Sequence, residues 1–137
     1  MSGSGMKVLQ VKTTSHNEFI DITSMVQSAL EESGLDDGAC LVFVPHTTAG
    51  VTINENADPS VRKDILMMLD RIAPEDAGYS HAEGNSAGHV KSSLMGCSAH
   101  VPVRAGHLAL GTWQGIYFCE FDGPRTRQVW VEALNTR

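Results

Sequence analysis

Three histidines stand beside residues that could make chemistry of them. His46 closes the apolar run ACLVFVPH, and His81 and His89 flank a glycine-rich stretch in YSHAEGNSAGHVKSS, where Glu83 is the only charged residue between them. Neutral imidazole binds zinc, nickel or copper well, and three histidines with an open position are the usual arrangement of a catalytic zinc. His46, His81 and His89 are therefore read as ligands of a divalent metal, with zinc favoured by the donor type. Their spacing matches no ligand signature such as H-E-x-x-H. Each histidine taken alone reads more readily as a hydrogen-bonded structural residue.

Charged residues gather in the same stretches. In HTTAGVTINENADP, Glu55 is the candidate general base, whereas Asp58 is equally well explained as a helix cap. In CEFDGPRTR, Glu120, Asp122, Arg125 and Arg127 crowd a turn whose Asp-Gly-Pro sequence has structural reasons of its own. Arg125 and Arg127 could fork onto a phosphate or carboxylate, or be a solvated pair on an edge. EGNSAG would let backbone N–H groups approach an anion at a helix start, with Lys91 adding charge, or it is a tight loop needing glycine for positive φ. His16, His100 and His107 read as partly exposed or satisfied residues, and Trp113 and Tyr117 as sheet packing.

The elements that must position these residues follow from periodicity. KVLQVKTT (7–14) and NEFIDI (17–22) read as strands, followed by a helix capped by Thr23, with Met25, Val26, Ala29 and Leu30 inward and Gly34 at its left-handed end. ACLVFVPH and GVTINEN read as a hairpin. A longer helix starts at Asp58-Pro59, with an apolar stripe of Val61, Ile65, Met68, Leu69 and Ile72. Residues from Pro74 to Gly88 lack periodicity and read as a long functional loop before a short helix, HVKSSLMG. AHVPV, HLALGTWQGIYFCEFDG and TRQVWVEAL read as strands. The pattern predicts an α+β fold with a largely antiparallel sheet covered by helices.

Composition narrows the function class. At 137 residues and 42% hydrophobic, the chain suits one domain, residues 6–137, behind a short cloning remnant, residues 1–5. A net charge of −6 argues against nucleic-acid binding, and no apolar run is long enough to span a bilayer. Cys40, Cys97 and Cys119 lack paired spacing and read as reduced core thiols, consistent with a cytoplasmic protein.

HTTAGVTINENADP, HAEGNSAGHVKSSLMG and GTWQGIYFCEFDGPRTR together resemble the YjbQ family over nearly the whole chain from Met6. The resemblance implies a small α+β domain that assembles as a homotrimer. It places His46, His81 and His89 in one polar pocket, with Glu55, Asn85, Glu120, Asp122 and Arg125 nearby. It also implies a secondary thiamine-phosphate synthase activity, which joins a pyrimidine diphosphate to a thiazole phosphate. That chemistry would call for magnesium, whereas the histidines suit zinc and water activation. The expectation is a metal-dependent transferase or hydrolase acting on a small phosphorylated or anionic metabolite. Glu55 and Asp122 are its catalytic residues, and Thr47, Thr48, Asn85, Lys91 and Arg125 its substrate contacts. The alternative is a trimer that binds a metabolite or metal without turnover.

Overall fold

Strands with alternating burial form the body of the protein, and three helices cover them. The computed structural model describes residues 5–136, so most of the 1–5 leader lies outside the described residues. The elements in chain order are β1 (Met6–Lys12), β2 (Glu18–Asp21), α1 (Thr23–Ser33), β3 (Gly38–Phe43), β4 (Ala49–Glu55), α2 (Pro59–Ile72) and α3 (Ser86–Met95). They continue with β5 (Ser98–Arg104), β6 (His107–Leu108), β7 (Gln114–Glu120) and β8 (Thr126–Leu134). One sheet has the order β1-β8-β3-β5-β6 and the other β2-β7-β4. Every pairing is antiparallel. The result is a single α+β domain in which α1 packs against both sheets through Val26, Ala29 and Leu30, inside a core that includes Val42, Val51, Val103, Phe118 and Val131. No helix among the described residues is long and apolar enough to cross a membrane.

The expected hairpin of ACLVFVPH and GVTINEN does not form. β3 pairs with β5 and β8, whereas β4 pairs with β7 in the other sheet. Residues 44–48 contain no Asn-Gly or Gly-X pair to reverse the chain tightly. They cross instead between the sheets, with Val44 N–H bonded to Cys97 O at 2.7 Å. Gly50 serves close approach rather than a turn, because a Cβ there would lie 2.6 Å from Gly96 O.

Other expectations shift in detail. Thr23 begins α1 but does not cap it; its hydroxyl donates to Asp21 Oδ1 at 2.6 Å and accepts from Ile116 N at 2.8 Å, tying the helix start to β7. Asp58 does cap α2, accepting from Ser60 N at 2.9 Å, with Pro59 at the first helical position. Of the α2 stripe only Leu69 is buried, and Met68 and Ile72 are exposed, because α2 lies over the narrow three-stranded sheet and its apolar face extends beyond Phe19, Tyr117 and Phe121. The loop before α3 ends three residues early, at Asn85. The run from His107 is interrupted between Leu108 and Gln114, which leaves Trp113 exposed while Tyr117 packs in the core. Cys40 and Cys119 are buried thiols, but Cys97, just past the α3 terminus, is exposed.

Candidate functional site

The crossing between the sheets makes the site. It sets Pro45, His46, Thr47 and Thr48 along one wall of an open cleft of ≈ 480 Å³. The loop into α3 supplies His81, Glu83 and Asn85, and α3 itself supplies His89. The turn after β7 supplies Asp122 and Arg125, and the start of β8 supplies Arg127. His46, His81 and His89, far apart in the chain, thus line one cleft.

Beneath it lies a buried ion pair. Arg127 Nε donates to Glu120 Oε1 at 2.8 Å, and its Nη2 donates to Glu120 Oε2 and to Thr48 Oγ1, the latter at 2.9 Å. Burial pushes the Glu120 pKa up, but hydrogen bonds from Arg127 and from Asp122 N–H outweigh this and hold the carboxyl below its usual range. At the rim, Asp122 Oδ2 accepts from both Asn85 Nδ2 and Arg125 Nη2, each at 3.0 Å.

The histidines fall into two kinds. His46 Nε2 accepts the backbone N–H of Gln128 at 2.9 Å, which puts the proton of the neutral ring on Nδ1. Burial, and then the Arg127 charge, lower its pKa and favour that neutral form. With its acceptor nitrogen occupied, neutral His46 has no free lone pair for a metal. His81 and His89 stand edge to face, with ring centroids 5.5 Å apart, and His81 Nε2 is 3.8 Å from Glu83 Oε1.

The expected three-histidine site is therefore not assembled, and among the described residues no three His, Cys, Asp or Glu side chains are grouped to hold a metal ion. The His81–His89 pair nonetheless suits a shared cation. Two imidazoles on one tetrahedral zinc, with Zn–N bonds of about 2.0–2.1 Å, would have centroids roughly 5 Å apart. Asn85 Oδ1 supplies an independent sign of an absent partner. It is buried and accepts no hydrogen bond, the one such side-chain atom found among the described residues. An unsatisfied buried acceptor costs about 1–3 kcal/mol, which a ligand donor or a cation would offset.

Two predicted site residues lie elsewhere. Glu55 ends β4, roughly 20 Å along the strand from the cleft at about 3.3 Å per residue, and its backbone O accepts from Tyr117 OH. Lys91 is fully buried and bonded to Asp70 Oδ1 at 2.5 Å and Asn17 Oδ1 at 3.3 Å. Two residues along a helix turn a side chain by about 200°, so Lys91 faces α2 when His89 faces the cleft. Thr48 is a buried acceptor for Arg127, and Thr47 offers an exposed side chain while its carbonyl accepts from Ser92 Oγ. Asn85, Asp122 and Arg125 are in place. His16, His100 and His107 lie outside the cleft, His16 bonding to Gly123 O and Glu75.

The burial of Arg127 follows from the strand pattern. Arg127, Val129, Val131 and Ala133 share the inward face of β8, so strict alternation from the apolar positions points the guanidinium inward. Ser92, Ser93 and Cys97, which line a second hollow on the other side of His46 and His89, carried no comparable signal.

Fold and cleft together define a class: a small α+β domain with two antiparallel sheets and a polar, histidine-lined cleft where the chain crosses between them. Residues 7–136 match the family described as UPF0047 protein YjbQ-like, and the chain belongs to that family. It is 56% identical to UPF0047 protein YugU of Bacillus subtilis over 130 residues, covering 94% of this chain and 98% of the relative. UPF0047 protein MJ1081 of Methanocaldococcus jannaschii is 50% identical, with 93% of each chain covered. Among solved structures, an uncharacterized conserved protein of this family from Clostridium acetobutylicum superposes with a TM-score of 0.92 at 55% identity, covering 93% of this chain and 99% of the other. The conserved hypothetical protein TT1486 of Thermus thermophilus gives 0.87 at 43% identity, with the same coverages.

Proposed function

We propose that this protein is an enzyme acting on a small phosphorylated or otherwise anionic metabolite, with a divalent cation held by His81 and His89. The observation that carries this reading is the meeting of those two imidazoles with Asn85, Asp122 and Arg125 in one cleft. Electrostatics supports the cation. Arg125 and Arg127 face three carboxylates, Glu83, Asp122 and the buried Glu120, so with neutral histidines the site holds an excess of negative charge that would repel an anion.

A divalent metal, zinc by the preference of imidazole, would reverse that excess and polarise a phosphoryl oxygen. The chain's own residues do the rest. Arg125, fixed by two bonds to Asp122, turns its exposed guanidinium edge to the anion. The His46 Nδ1–H donates, and the Asn85 Oδ1 accepts from a substrate hydroxyl or amine. Asp122, braced by Asn85 and Arg125, is the carboxylate placed to take a proton, a role Glu55 is too distant to fill.

A thiamine-phosphate synthase type of transfer is the finer candidate, with magnesium as its ion. It must neutralise a departing diphosphate, and Arg127 is already committed to Glu120. The cleft suits a single phosphate better. The exposed apolar face of α2 supports self-association into a homotrimer, which sedimentation would test; a monomer at micromolar concentration rules it out.

The test is equilibrium dialysis against zinc followed by elemental analysis, with phosphate release measured over a panel of small phosphomonoesters. One zinc per chain is expected, retained in His46→Gln and lost in the His81→Gln/His89→Gln double variant together with turnover. Stoichiometric zinc in the double variant would overturn the ligand assignment. Bound ester recovered unchanged after long incubation would replace the enzyme with a binding protein.

A further inference from the structure

The cleft does not end at His89. A second hollow, also of ≈ 480 Å³, opens on the far side of His46, Thr47 and His89, which line both. Its remaining walls are Ala49, Ser92, Ser93, Gly96 and Cys97. The two halves differ in kind. Glu83, Asp122, Arg125 and Arg127 all line the first half, and no Asp, Glu, Arg or Lys lines the second. Local structure explains why. Gly96 ends α3, and β4 runs so close beneath it that Val51 N–H bonds to Gly96 O at 3.1 Å, which leaves only small side chains between the helix end and the crossing segment.

We infer that the groove is bipartite and selects a phosphomonoester whose ester group is uncharged and largely apolar, the phosphate in the charged half and the organic group in the hollow walled by Ala49 and Cys97. This rests on the proposed function and names its substrate class. A charged group in the second half would give up water without gaining a counter-ion, which is costly, whereas a ring or short alkyl chain would be desolvated favourably. His46 and His89, common to both halves, then flank the bond between phosphate and organic group. Ser92 does not compete for the ligand, because its hydroxyl donates to Thr47 O at 2.6 Å.

Titration calorimetry on the zinc-equilibrated full chain with inorganic phosphate and with phenylphosphonate, whose P–C bond the proposed hydrolysis cannot cleave, tests the inference. Phenylphosphonate should bind at least about tenfold tighter than inorganic phosphate, the gain expected from burying part of a ring. Cys97→Trp, which fills the second half from an exposed position, should abolish that difference and leave inorganic phosphate unchanged. Ser93→Trp makes the same comparison should Cys97→Trp not fold. Equal affinities in the wild type, or a phenyl preference that survives both tryptophans, overturns the bipartite groove while leaving the proposed function standing. Failure of both ligands to bind the wild type removes the two together.

Discussion

Replacing Arg127 with Met would expose how the floor of the cleft is held. Arg127 and Glu120 are 3% and 0% exposed, and the guanidinium supplies Glu120 with bonds to both oxygens while also donating to Thr48. Without Arg127, the buried Glu120 keeps only its bonds from Asp122 N–H and the Thr13 hydroxyl. Breaking such a pair costs about 3–5 kcal/mol. Unfolding entropy of roughly 2.1 cal/mol/K per residue gives about 0.3 kcal/mol/K for a chain of this length, so the melting temperature should fall by roughly 10–17 °C. Acid sharpens the test. In the wild type the folded Glu120 pKa is depressed, so its stabilisation is complete above the unfolded carboxylate value of about 4.3 and is lost as pH falls through the lower folded value. In Arg127→Met burial remains opposed only by the bonds from Asp122 N–H and the Thr13 hydroxyl, and the carboxyl becomes easier to protonate, so the deficit should shrink between pH 7 and pH 4. Adding Glu120→Leu should restore most of the lost stability. Thermal melts across that pH range decide the matter: a single variant within about 1 kcal/mol of wild type, or a deficit independent of pH, refutes the role given to the pair.

Three further outcomes follow from particular contacts. Histidine NMR should find His46 as the neutral Nδ1–H tautomer, titrating below the ordinary value; the stability tied to it is complete above about pH 6.5 and declines as pH falls through the lower folded value, and a normal or raised value for His46 would contradict the assignment. Gly88→Ala should lower the urea midpoint, because its Cβ would lie 2.8 Å from Phe121 O, and overpacking of about 1–3 kcal/mol exceeds the helix gain of about 1 kcal/mol; a raised midpoint sinks this account. Asp70→Asn should destabilise more than Lys91→Met, since the first leaves a buried ammonium with only the more distant Glu75 carboxylate, at 3.7 Å, and the second removes the charge; the reverse order in denaturant melts would show the ammonium is not held as described.

Elements with a clear period were legible. α1, α2 and β8 fall where the apolar spacing puts them, and Gly34 ends α1 in the left-handed conformation as its position requires. Reach across the sheets was not legible. The expected hairpin would set Glu55 across from His46, yet β4 pairs in the other sheet and its seven residues carry Glu55 to the far end of the strand. Lys91 looked like a ligand contact beside His89 until the start of α3 fixed its rotation. Cys97 looked like a core residue, and its exposure depends on where α3 stops.

Sequence alone determined the α+β class, the family and the three stretches that carry polar chemistry, because period, turn residues and motif order are properties of the chain itself. Only the tertiary structure decided which of those residues meet. It separated His46 from the metal question through one backbone N–H on β8, paired His81 with His89, and tied the Arg127 guanidinium at the cleft floor to the buried Glu120. The physical reason is that hydrogen-bond partners and side-chain facing depend on sheet pairing and helix rotation, and both are set by contacts between residues distant in sequence.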